Sequence, residues 1–250
     1  MPSLGLHMTI ARDLACDLTS PAIEADRGAY YLGATTPDIR VLTRGDRAQT
    51  HFFDLHNFEE QNGVERLFER EPALRDARAL DSATAAFMAG YISHLVMDED
   101  YITQIYRPLF GQRSSIAGDE LADVMDKALQ WDIDRTARGD ETKAAEIKRA
   151  LMESAVEVNV AFVARETLLK WRDMSAEVIG TPATVERLVR FLGRRMPELA
   201  LDHEASAATF AEGVPALLAR TWEHVGAERI REYLESTKNK ARRTMKEYLA

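Results

Sequence analysis

Apolar residues recur at helical spacing along nearly the whole chain, and this periodicity constrains the fold more than any other feature. His7, Ile10, Ala11, Leu14 and Leu18 fall on one face of a first helix that runs to about Leu18. Ser20-Pro21 reads as an N-cap followed by proline at the first helical position. It opens a second helix that carries Ile23, Ala29 and Tyr30 and stops near Gly33. Residues 34–50 hold Pro37, Gly45 and several Thr and Asp, and read as an ordered loop. A shorter helix is predicted from Asn62 to Arg70. Ser82 can cap a long one from Ala83 to about Tyr106, ended by Pro108 and Gly111. Further helices are predicted at about 116–138, 141–172, 182–196, 206–220 and 222–248. Val and Ile seldom alternate with polar residues over more than a few positions, so no strand is predicted. The expected fold class is all-α, a multi-helix bundle forming one domain over residues 1–250.

Composition decides which partners such a bundle can take. The net charge of −9 and a pI near 5.3 argue against nucleic acid, whose phosphates are bound by clustered Lys and Arg. The exception, Lys238, Lys240, Arg242, Arg243 and Lys246, reads as the solvated face of a last helix. The single cysteine, Cys16, cannot pair within the chain, so nothing suggests an oxidising compartment. The first residues have no basic stretch followed by an apolar one. The most apolar window, residues 85–92, is far short of the ~20 residues that span a bilayer. A cytoplasmic protein is expected.

Chemistry concentrates toward the N-terminus, where four of the six histidines, His7, His51, His56 and His94, lie in the first 94 residues. His94 and Asp98 are four apart on the long helix and so project from one face, a turn from each other. Their neighbours at helical spacing are largely apolar, and an ionised carboxylate there needs a cation. A metal shared with His94 satisfies both groups; a plain His–Asp hydrogen bond is the alternative. Asp38 follows Pro37 in a turn, and His51 begins an aromatic patch with Phe52, Phe53, His56 and Phe58. Taken singly, Asp38 reads as a turn former, and His51 and His56 as histidines packed among aromatics. Converging, Asp38, His51, His94 and Asp98 would make a tetrahedral N/O site suited to zinc.

The segments G-L-H-M-T-I-A at His7, Y-L-G-A-T-T-P-D-I at Asp38, T-H-F at His51 and A-G-Y-I-S-H-L-V-M-D at His94 and Asp98 together resemble the zinc-dependent phospholipase C superfamily. That superfamily also holds the fungal single-strand nucleases, and the short Met-Pro start is similar to its cytosolic branch. The resemblance covers roughly the first 110 residues, a metal-site half at 1–110, with a helical remainder at 111–250. It implies that Asp38, His51, His94 and Asp98 share one zinc. It further implies that Asp98 bridges to a second zinc with His7, and that Asp38 orients the attacking water.

Two departures from the family stand out. Secreted members complete the second zinc with the amino group of an N-terminal Trp; here Met1 stands six residues before His7. Other members supply late histidines, whereas this chain has none between His94 and His203 and offers Gln104 nearby. His224 with Glu228, and Asp132 or Asp134, are candidate replacements, while His203 reads as exposed. The expected function is zinc-dependent hydrolysis of a small phosphate ester or a lipid. One Zn2+ is expected and a second is open, with Mn2+ or Fe2+ as other metals. The alternatives are a single-metal structural or binding protein and a non-hydrolytic iron or manganese enzyme. Tyr30, Tyr31, Tyr91 and Tyr101 are candidates for a pocket lining or for the core.

Overall fold

The computed structural model describes residues 2–55, 57–119 and 121–250; the reading of His56 lies outside the described residues. Helices α1 (Leu4–Leu18), α2 (Pro21–Ala25), α3 (Arg27–Gly33), α4 (Arg40–Thr43), α5 (Ala48–His51) and α6 (Gly63–Arg70) lead into the long α7 (Ser82–Tyr101). After it come α8 (Arg107–Leu109), α9 (Ala122–Ala137), α10 (Glu141–Glu153), α11 (Arg165–Ile179), α12 (Val185–Arg195), α13 (Glu204–Val225) and α14 (Ala227–Leu249). Among the described residues there is no strand, and the chain is all-α. No helix among them is long and apolar enough to cross a membrane.

Local chemistry moves several boundaries away from those predicted. The expected second helix is two, because the Asp26 carboxylate accepts a hydrogen bond from Ala29 N (2.8 Å) and restarts the chain as α3. Asp81 rather than Ser82 caps α7, accepting from Thr84 N. That helix reaches Tyr106 only through a π-helical turn, Ile102–Tyr106. The loop of residues 34–50 contains a 3-10 turn, Thr36–Ile39, besides α4 and α5. The helix expected over 141–172 is broken by residues 154–164, where Val156, Val158 and Val160 alternate. β-branched side chains lose χ1 freedom in a helix, and here Val156 is buried with its backbone in the left-handed region. Gly226, also at positive φ, ends α13 and so places the last junction later than predicted.

α7 is buried on nearly all sides, as the apolar run over residues 85–92 leads one to expect. It packs on α3 with almost no side chain between them. A Cβ at Gly33 would lie 1.9 Å from Phe87 O, and one at Gly90 would lie 2.0 Å from Tyr30 O. On another side α14 closes against it: the Tyr233 hydroxyl donates to Met97 O (3.2 Å), and Lys240 Nζ reaches Asp100 (2.7 Å). The main core draws on α1, α3, α7, α10, α11 and α14. A smaller one, with Val124, Leu188, Val189, Leu192 and Val214, ties α9 to α12 and α13.

Candidate metal centre

Four segments far apart in sequence meet where α1, α3 and α7 converge. α7 contributes His94 and Asp98 from one face. The close α3–α7 approach sets the carbonyl of Ala34, just past α3, against His94 Nδ1 (2.8 Å). A carbonyl only accepts, so Nδ1 carries the proton and Nε2 keeps a lone pair aimed into the cluster. His51 ends α5, whose place is fixed by the Tyr91 hydroxyl donating to Thr50 O. The Thr50 hydroxyl donates to Arg47 O (3.3 Å), which leaves it to accept His51 Nδ1–H (3.1 Å). His51 Nε2 is thereby the basic nitrogen. Asp38 stands in the 3-10 turn after α3, anchored by Thr35, which receives Trp171 Nε1–H (3.1 Å) and donates to Leu32 O. His7 enters from the first turns of α1, completely buried.

The donor atoms crowd together. His51 Nε2 is 3.4 Å from Asp38 Oδ1 and 3.2 Å from Asp98 Oδ2, while His94 Nε2 lies 3.7 Å from the same Asp98 oxygen. His7 Nε2 lies 3.4 Å from Asp98 Oδ1, and the His7 and His94 rings stack at 3.8 Å. Two overlapping groups, His7–His94–Asp98 and Asp38–His51–His94, have their ligand atoms within 4.8 Å of one another and could each hold a metal ion. The Nε2 atoms of His7, His51 and His94 and Oδ1 of Asp98 are buried without a hydrogen-bond partner. Leaving several such atoms unsatisfied is costly, and a divalent cation in either group would satisfy the atoms that line it. The residues present therefore fit a zinc-type ion of mixed N/O coordination.

Electrostatics agree with that fit. Burial, with His94 adding to it, pushes His7 down to about 4, so its ring is neutral at pH 7. Burial would raise Asp98, but the surrounding imidazoles, His94 foremost, outweigh it and hold the carboxyl well below its ordinary range. Asp38 is likewise opposed by burial and brought to about 2 by His51 and His94. His51 moves the other way: burial lowers it, but Asp38 and Asp98 outweigh that and raise it. Asp38 is the most open of the five, its side chain 14% exposed against 3% for Asp98. The cluster thus faces solvent on the Asp38 side.

Sequence reasoning missed Arg47. Its Nη2 is 3.1 Å from Asp98 Oδ2 and its Nη1 donates to Phe53 O (3.0 Å). The need of Asp98 for a cation was legible, but a pairing across 51 positions was not. The candidate replacements for late ligands are engaged elsewhere. Asp132 binds Arg135 and receives Trp222 Nε1–H, Asp134 pairs with Arg138, and Glu228 pairs with Arg231. His224 Nε2 donates to Leu109 O (2.8 Å), and Gln104 is exposed and bonded to Ser236. His203 is exposed, as expected. The tyrosines Tyr30, Tyr31, Tyr91 and Tyr101 belong to the core.

No curated protein and no solved structure matches the chain. Residues 6–99 match the family model described as zinc dependent phospholipase C. All five converging residues lie inside that segment, which is what the chain shares with the zinc-dependent phospholipase C family.

Proposed function

We propose that the protein hydrolyses a phosphate ester, using one zinc held by Asp38, His51, His94 and Asp98. The observation that carries this reading is the convergence of buried, unpartnered imidazole nitrogens and carboxylate oxygens beside one carboxylate that remains open to solvent. A bound zinc supplies Lewis acidity at a phosphoryl oxygen and lowers the pKa of a coordinated water toward ~7. Asp38, held near 2, stays ionised at neutral pH and is a poor proton acceptor. It therefore acts by accepting a hydrogen bond from the attacking water and orienting it. The Ala34 carbonyl and the Thr50 hydroxyl keep His94 and His51 in the tautomer that ligates. Arg47 fixes the orientation of Asp98 and offsets part of its charge. His7 and Asp98 Oδ1 form a second group only by sharing His94 with the first, so one ion per chain is the proposed complement.

The test is elemental analysis of protein purified without added metal, followed by assay on phosphomonoesters, phosphodiesters and phospholipids with zinc, manganese or iron. One zinc per chain and turnover on at least one class are expected. Asp38→Asn should keep the fold while lowering kcat at least ~100-fold, the scale typical of losing one positioned catalytic group. Undiminished turnover by Asp38→Asn would remove that residue from its role. One tightly held metal with no turnover on any substrate would favour a structural metal instead, a reading that the complete burial of the three imidazoles also suits.

A further inference from the structure

The turn that follows Asp38 is built unlike the rest of the surface. Val41 leaves 65% of its surface in solvent and its neighbour Leu42 39%. Other exposed large apolar side chains, such as Met152 and Phe191, stand apart from one another in sequence. Ile39 is buried and pins the base of the turn, so the two apolar side chains after it are held outward by a fixed backbone. α4 then stops at Arg44 in the left-handed region (φ 58°). A non-glycine residue there is strained, and such strain is commonly kept at functional positions.

Charge completes the pattern. Arg40 and Arg44 flank the apolar pair, and neither enters an ion pair among the described residues. Arg40 Nε is buried without a partner. On a chain of net charge −9, the turn is a small cationic and apolar tip beside the open edge of the metal cluster. We propose that residues 40–44 dock onto an anionic lipid surface, which brings phosphate esters held in that surface to the Asp38 side of the site. This rests on the phosphate-ester reading and names where the ester is presented.

Two side chains on a four-residue helix offer far less area than the ~800 Å² per partner of a stable protein interface. Shallow insertion of a few apolar groups, backed by cations against anionic headgroups, suits a bilayer surface instead.

Sedimentation with phosphatidylcholine vesicles, with and without phosphatidylglycerol, tests the proposal on the zinc-loaded full chain. Wild type should pellet with the anionic vesicles. Val41→Asp with Leu42→Asp should weaken that partitioning at least tenfold. Arg40→Gln with Arg44→Gln should weaken it by roughly fivefold per arginine, and only on the anionic vesicles. Zinc content, thermal melting and turnover of a short-chain, water-soluble phosphodiester should match wild type in both variants. Wild type remaining in the supernatant, or the aspartate variant pelleting as wild type does, overturns the proposal. So does a concentration-dependent dimer that the aspartate variant abolishes without any vesicle binding, which would assign the turn to a second copy of the chain. Turnover of the soluble ester without vesicle binding leaves the hydrolase reading standing and removes the docking. Vesicle binding that follows the turn, without turnover of any ester, does the reverse.

Discussion

Neutral imidazole nitrogens ligate metals and protonated ones do not, so the protonation of His7 and His51 bears on what the cluster can hold. In the metal-free protein His7 is depressed to about 4, below the ~6.5 of an unfolded chain. Between those values the unfolded state binds more protons. Stability contributed by His7 is therefore present above pH 6.5 and falls as the pH drops toward 4, by about 3 kcal/mol at most. His51 acts in the opposite sense: its raised value gives stability below 6.5 that is lost as the pH rises through the folded value. Urea titrations of the metal-free wild type and of His7→Gln between pH 7 and pH 4.5 separate the two. The variant should lose less stability on acidification, and parallel curves would show that His7 is not buried as a neutral ring. His94→Ala leaves Asp98 short of one of its imidazoles and opens the centre of the cluster. It should abolish zinc retention on elemental analysis and cost about 2–5 kcal/mol, the scale of a large-to-small change at a fully buried position. Retained zinc would remove His94 from the ligand set.

At the scale of elements, the site depends on how closely α3 and α7 approach. A methyl group at Gly90 has no room beside Tyr30 O. Gly90→Ala should push the helices apart, costing about 1–3 kcal/mol or more. It should also draw Ala34 O away from His94, so zinc affinity should fall together with the melting temperature. Gly213, inside α13, is the contrast: an added Cβ there meets nothing within 4 Å. Gly213→Ala should stabilise by roughly 0.5–1 kcal/mol through the unfolded state and leave zinc binding unchanged. Thermal melts of the two variants check both signs. The same elements show what the sequence could reveal. α7 was legible because its apolar run and the four-residue His94–Asp98 spacing are local properties of one helix. The order of Asp38, His51 and His94 was legible through the family resemblance. Arg47 beside Asp98, the glycine contacts and the Ala34 carbonyl on His94 are pairings between distant segments, which helical periodicity does not encode. The break at Asp26 and the extended run through Val156 were local signals: a capping carboxylate and alternating β-branched residues, both outweighed in the reading by the surrounding helical period.

For the molecule as a whole, the match to the family stops at residue 99, yet the packing that holds the site does not. α7 is buried on nearly all sides, and one of the helices packed on it, α14, lies beyond the matched segment. Tyr233 and Lys240 of α14 bind Met97 and Asp100, flanking Asp98 itself. α11 supplies Trp171 to hold Thr35, and with it the turn that carries Asp38. α10 reaches α1 and α3 through Glu146, which pairs with both Arg12 and Arg27. Residues 1–110 alone would hold all five converging residues, but they would uncover Tyr101, whose ring meets Tyr233 and whose hydroxyl donates to Asp126. Large apolar faces left open in this way favour collapse or aggregation over a fixed fold. The fragment 1–110 should therefore show little cooperative unfolding by circular dichroism and bind zinc at least ~100-fold more weakly than the full chain, since a metal site must be preorganised by its scaffold to hold its ion tightly. Full-length protein stripped of zinc should instead still melt cooperatively, at a lower temperature, and recover on adding zinc back, with about 4 kcal/mol of stabilisation when free zinc is ~1,000 times its dissociation constant. A fragment that melts cooperatively and binds zinc as tightly as the whole chain would show that residues 111–250 are a separate unit, and the expectation of one domain over 1–250 would give way to two.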